Sequence, residues 1–301
     1  MNNHPEPSQP KQIQFNANPF SLAFDAMSRA FKINQNPAIV IIIGAIIIAV
    51  GNQIFGNLPD FLTKVGEGSG SKDTELALGV VGFVFSLVFL VISTVVGTIW
   101  AGFVAFVGLK NAQHESTQVQ PSLRTALSKF WTIFGVNFMV GLYALACLMP
   151  SIILLLVGIA LLAGNLDGVA VGVFIATGIL FIVGLVFSIR ISIARSLSIF
   201  AMFDENLGVF PAMKRSVELT KTRVMEAWGM AFPGAIIPII GPLLTTCALG
   251  SHYLQLKVYR DNSAELPKVH ILSWLPLIGL GLLLIVIFLI GATLGALYAS
   301  V

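Results

Sequence analysis

Six stretches of this chain run for 22 to 34 residues without an Asp, Glu, Lys or Arg: residues 37–59, 76–109, 132–164, 168–189, 227–252 and 271–301. Crossing about 30 Å of hydrocarbon takes roughly 20 apolar residues of helix. Within a bilayer each backbone N–H and C=O must bond inside its own segment, which selects helices. The runs therefore predict an all-α polytopic transmembrane helix bundle of about six spans. The second and third runs are long enough to tilt or to project beyond the bilayer.

Composition supports this reading. Charged residues are 10% of the chain and hydrophobic residues 56%, against about 25% charged in a soluble domain. A single soluble core of this size cannot bury so much apolar surface. Residues 1–19 form a tail rich in Asn, Pro and Gln, with residues 1–14 predicted disordered. This tail lacks the apolar core of a cleavable signal, so residues 38–58 are predicted to act as the insertion signal. The remainder, 20–301, reads as one membrane domain.

The connectors differ in charge. Twelve Lys/Arg residues fall in the N-terminal segment, the second connector and the stretch around 190–223, and five fall on the opposite side. The positive-inside rule then puts both termini in the cytoplasm. The fifth run holds Pro233, Pro238 and Gly241-Pro242. As a kinked single span it keeps that topology; as a broken hairpin it makes 257–270 cytoplasmic and Val301 external. The GEGSGSKD stretch within 60–75 is predicted to be a flexible linker.

Three similar four-residue stretches precede apolar pairs: Ala26-Met27-Ser28-Arg29, Ala126-Leu127-Ser128-Lys129 and Ala212-Met213-Lys214-Arg215. They suggest three units of one short amphipathic helix plus a hairpin, at about 20–109, 110–203 and 204–301. In the third, Asn206 or Asp204 is placed to cap a helix over 209–222. Phe210, Met213 and Val217 share one of its faces. Two readings stand for such a basic helix: it lies in the interface against anionic head groups, or it packs under the bundle as a bracket.

The run ARSLSIFAMFDENLGVFPAMKRSVELTKTRV carries Asp204-Glu205-Asn206-Leu207-Gly208, Ala212, Arg215-Ser216 and Leu219-Thr220-Lys221. It resembles the signature of the bacterial integral membrane family that includes the glycerophosphoryl diester phosphodiesterase membrane domain and its stand-alone YciC-like and DUF975-like relatives. That resemblance implies a bacterial inner-membrane location and a structural role for Asp204, Glu205, Asn206, Gly208 and Ser216. In the phosphodiesterases the catalytic domain is a separate soluble barrel. This chain has no soluble stretch large enough for one, so the activity does not carry over.

The chain carries no HExxH, GxSxG or Walker spacing. No basic patch interleaved with aromatics points to nucleic acid. Neither catalytic residues nor metal ligands nor a cofactor are predicted. Cys147 and Cys247 read as small buried hydrophobes. Asn52, Gln53 and Asn137 read as hydrogen-bonding glue between helices, and Gly291-xxx-Gly295 as a close-packing or homodimer face. Arg190 and Arg195 are expected to pair with Asp204 or Glu205, or to reach lipid phosphates. With Lys214, Arg215, Lys221 and Arg223 they form the candidate head-group set. The function expected is non-enzymatic: organising or binding membrane lipids, anionic ones above all, or a membrane partner. The alternative is a channel or transporter of small or lipidic substrates.

Overall fold

A computed structural model describes residues 15–68, 72–164, 166–237, 239–282, 285, 286 and 293. The expected disorder of 1–14 and the Gly291/Gly295 motif lie outside the described residues. Helices account for the architecture, in the order α1 (Pro19–Ile33), α2 (Gln35–Gly56), α3 (Leu58–Gly68), α4 (Lys72–Ala112), α5 (Val119–Ser128), α6 (Phe130–Ala163), α7 (Asp167–Ala194), α8 (Ser198–Asp204), α9 (Val209–Thr220), α10 (Val224–Ile236) and α11 (Gly241–Asp261). A further helix, α12 (Ile271–Leu282), opens with a 3₁₀ turn.

Among the described residues four stretches are long and apolar enough to cross a membrane: Gln35–Gly68, Lys72–Ala112, Phe130–Ala163 and Gly168–Asp204. Only 6–17% of each apolar window is buried inside the protein. Leu, Ile, Val and Phe therefore cover most of their circumference. Helices apolar all round need either a protein core or lipid around them, and here lipid is the solvent that fits. The segment expected to be a flexible linker is helical on both sides of residues 69–71, which lie outside the described residues. Residues up to Gly68 continue the preceding helix as α3, and Lys72 already begins α4. The apolar residues Leu58, Phe61, Leu62 and Val65 have helical spacing that outweighs the glycines.

The long helices rise from a buried base. Its centre is α11, whose Leu243, Leu244, Cys247, Ala248, Tyr253 and Leu256 are all fully buried. Backbone meets backbone where α11 crosses α4. A Cβ on Gly250 would lie 2.7 Å from the Gly108 carbonyl oxygen, and one on Gly108 would lie 2.8 Å from that of Thr246. Only glycine permits this approach.

The fifth apolar run does not form a single kinked span. It divides into α10 and α11, separated at residues 237–240, with Pro242 in the first turn of α11. Thr245 Oγ1 donates to the Ala231 carbonyl across the break, so the two helices fold back on each other. Lys257, near the end of α11, bonds to Asp204, which ends α8. Two side chains in contact cannot sit on opposite sides of a bilayer. The hairpin therefore returns to the side it started from.

The three similar stretches fall on α1, α5 and α9, each just before a longer apolar helix, and Ala26, Ala126 and Ala212 are each fully buried. Ala26 and Ala126 are the eighth residues of their helices. The eighth residue of α9 is Ser216, also fully buried, so helix starts align the third stretch four residues later than the motif does. Asn18 caps α1, its side chain accepting from the Phe20 and Ser21 amides. Asn52, Gln53 and Asn137 are exposed on α2 and α6 rather than lodged between helices.

Candidate functional site

The chain direction changes sharply between α7 and α9, and the family-like residues hold that change. α7 stops at Ala194, a turn follows over 195–197, and α8 begins at Ser198. Breaking a helix frees its last carbonyls and the next amides, which then need partners. The fully buried Ser216 supplies both kinds. Its Oγ donates to the Ala194 carbonyl at 2.9 Å and accepts from the Leu197 amide at 3.1 Å. Thr220 Oγ1 lies 3.0 Å from the same Ala194 oxygen. α7 thus ends at Ala194, and after the turn α8 carries the apolar stretch on to Asp204.

Asp204 and Glu205 anchor an ionic latch joining four elements. Asp204 accepts from Lys257 Nζ at 2.5 Å, Tyr253 Oη at 2.9 Å and Gln113 Nε2 at 2.9 Å. Glu205 accepts from Arg215 Nε at 3.0 Å, and Tyr253 Oη is 3.0 Å away. Arg215 Nη2 reaches Asp261 at 2.7 Å. Burial works against the charge on Arg215, but the hydrogen bonds to Asp261 and Glu205 outweigh it and raise the guanidinium above its ordinary pKa. Asn206 adopts a left-handed backbone, φ 52°, and its side chain accepts from Lys129.

Several expectations need correction here. Neither Asn206 nor Asp204 caps α9: the N-cap is Gly208, without a side-chain bond. Gly208 has φ −77°, and a Cβ there would meet open space, so nothing in its geometry demands glycine. The face grouping Phe210, Met213 and Val217 is not the buried one. Ala212, Met213, Ser216, Leu219 and Thr220 turn inward, while Phe210 is 62% exposed. The packed face of α9 therefore meets the bundle, not lipid.

Arg190 and Arg195 do not pair with Asp204 or Glu205, whose oxygens are taken by Lys257, Tyr253, Gln113 and Arg215. Arg195 instead lies 4.6 Å over the Tyr143 ring and donates to the Ile191 carbonyl. The six candidate head-group residues also do not form one patch. Arg215 is held in the latch, and Arg223 is buried against Glu226 at 2.8 Å. Lys214 is exposed and only 3.9 Å from Glu218. Arg190 and Lys221 alone come together, at a cavity of about 400 Å³ between α7, α10 and α12.

Sequence reasoning missed the partners on α11 and a buried polar group. Glu226 and His252 are fully buried, and among the described residues Glu226 Oε2 and both His252 ring nitrogens have no hydrogen-bond partner. The available signal was the polarity at the fifth run's end, where His252, Tyr253, Gln255 and Lys257 follow one another closely. Among the described residues no group of three or more His, Cys, Asp or Glu is arranged to hold a metal ion. Cys147 and Cys247 are free thiols, Cys247 buried and Cys147 partly so.

No protein-family model, curated protein or solved structure matches this chain.

Proposed function

We propose that this is a multi-pass integral membrane protein, without catalysis of its own, that binds and organises anionic lipids at the cytoplasmic face of a bacterial inner membrane. The observation that carries this reading is the mounting of α9. Arg215, Ser216 and Thr220 fasten one side of it to the bundle, which leaves Phe210, Lys214 and Lys221 exposed on the other. An apolar ring and ammonium groups on one fixed, outward face suit an anionic bilayer surface. The α10–α11 hairpin strengthens the charge argument. With Lys257, Arg260 and Lys268 moved to the side of α9, fifteen Lys/Arg residues face two, Lys64 and Lys72. The positive-inside rule then assigns the α9 side to the cytoplasm.

The likeness of residues 194–224 to the phosphodiesterase membrane-domain family supports the same location. Transport of a small or lipidic substrate is the second reading. It is favoured by the buried Arg223–Glu226 pair beside α11 and its neighbour His252, because ionisable groups inside membrane bundles commonly line transport paths. Flux into vesicles carrying the purified protein tests it.

The test of the lipid reading is add-back to delipidated protein. A lipid that binds the folded state raises the melting temperature with its concentration. Phosphatidylglycerol should stabilise the protein more than phosphatidylcholine, and Lys214→Gln with Lys221→Gln should reduce the difference. Equal stabilisation by both lipids sinks the reading.

A further inference from the structure

We infer that the groove between α7, α10 and α12 is a phospholipid site, taking one acyl chain along its floor and the phosphate of an anionic glycerophospholipid at its mouth. The inference rests on the lipid reading above and gives it a location. Val186, Ile189, Arg190 and Ile193 line one wall, and their spacing puts them on a single face of α7. Val224, Met225 and Trp228 from α10 oppose them, and Trp274, Leu277 and Leu280 from α12 close the third side. The cavity, about 400 Å³, lies within the roughly 300–1,000 Å³ of small-ligand pockets.

Polarity is confined to one end. Arg190 is four residues from the end of α7, and Lys221 is in the turn before α10. Val186 lies one helical turn deeper, about 6 Å at 1.5 Å per residue. No acidic residue lines the groove, and neither Arg190 nor Lys221 forms an ion pair among the described residues. A guanidinium grips two phosphate oxygens at once, and an ammonium adds a point charge beside it. Two unneutralised cations above a chain-wide apolar channel complement an anionic amphiphile. Indole rings at Trp228 and Trp274 suit the boundary between head group and chain.

The experiment uses the full chain in nanodiscs of phosphatidylcholine containing a small, equal fraction of brominated phosphatidylglycerol or brominated phosphatidylcholine. Trp100→Phe, Trp131→Phe and Trp274→Phe leave Trp228 as the reporter. Two basic residues at a head group predict a roughly thirtyfold binding preference for the phosphatidylglycerol form, read as quenching of Trp228. Arg190→Gln should cut the preference to about fivefold, Arg190→Gln with Lys221→Gln should abolish it, and Arg190→Lys should retain most of it. Lys64→Gln, on the opposite side of the membrane, should leave it intact. Equal quenching by the two lipids overturns the inference, as does weak quenching by both. If Trp228 shows no preference while phosphatidylglycerol still stabilises the protein through Lys214 and Lys221, the groove fails and the broader lipid reading stands.

Discussion

Replacing Arg223 with methionine removes the charged partner of Glu226 while keeping much of the side chain's apolar volume. Glu226 is fully buried, its Oε1 accepts from Arg223 Nη1 at 2.8 Å, and its Oε2 has no partner. Two unit charges about 4 Å apart attract by about 4 kcal/mol at an effective dielectric of 20, and this pair is nearer than that. Breaking a buried pair by deleting one member costs about 3–5 kcal/mol, because the survivor stays buried without compensation. At about 1.4 kcal/mol per factor of ten, the folded-to-unfolded ratio should fall by roughly two to three and a half orders of magnitude. Replacing both residues by apolar ones, Arg223→Met with Glu226→Leu, should cost far less and can be neutral. Unfolding by sodium dodecyl sulfate in mixed micelles, followed by tryptophan fluorescence, measures Arg223→Met, Glu226→Leu and the double variant. A loss below about 1 kcal/mol for Arg223→Met would refute the reasoning, as would a double variant whose loss equals the sum of the singles.

Two further outcomes follow from the junction of α7, α8 and α9. Ser216→Ala leaves the buried Leu197 amide without its side-chain acceptor and takes one of two hydroxyls from the Ala194 carbonyl. It should cost about 1–3 kcal/mol and speed amide exchange at Leu197, whereas unchanged exchange would remove Ser216 from this role. The hairpin topology predicts that cysteines at Glu265 and Lys214, in a chain lacking Cys147 and Cys247, react with a membrane-impermeant maleimide from the same side. Labelling from opposite sides would restore a single fifth span.

The helical class and the four long apolar helices were readable from the charge-free runs alone, because lipid imposes the same demand on every residue of a span. The fifth run was ambiguous for a physical reason. Its length and hydrophobicity suit a span equally well as a buried hairpin, and periodicity does not separate the two. What separates them is tertiary: Lys257 and Asp261 find Asp204 and Arg215, partners more than forty residues away in sequence. The same limit left α9 between two readings. Phe210, Met213 and Val217 are its apolar residues in an amphipathic pattern, but small Ala212 and Ser216 let that side pack closely against the bundle. Small residues carry little hydrophobic signal while permitting the tightest approach. Arg190 and Lys221, thirty-one residues apart, could be brought to one cavity only by the fold.

The most direct measurement for the lipid account is native mass spectrometry of the protein extracted in mild detergent. The account predicts retained anionic phospholipid, diminished by Arg190→Gln and by neutralising Lys214 and Lys221. Protein that emerges bare, or holding only zwitterionic lipid in wild type and variants alike, would contradict it.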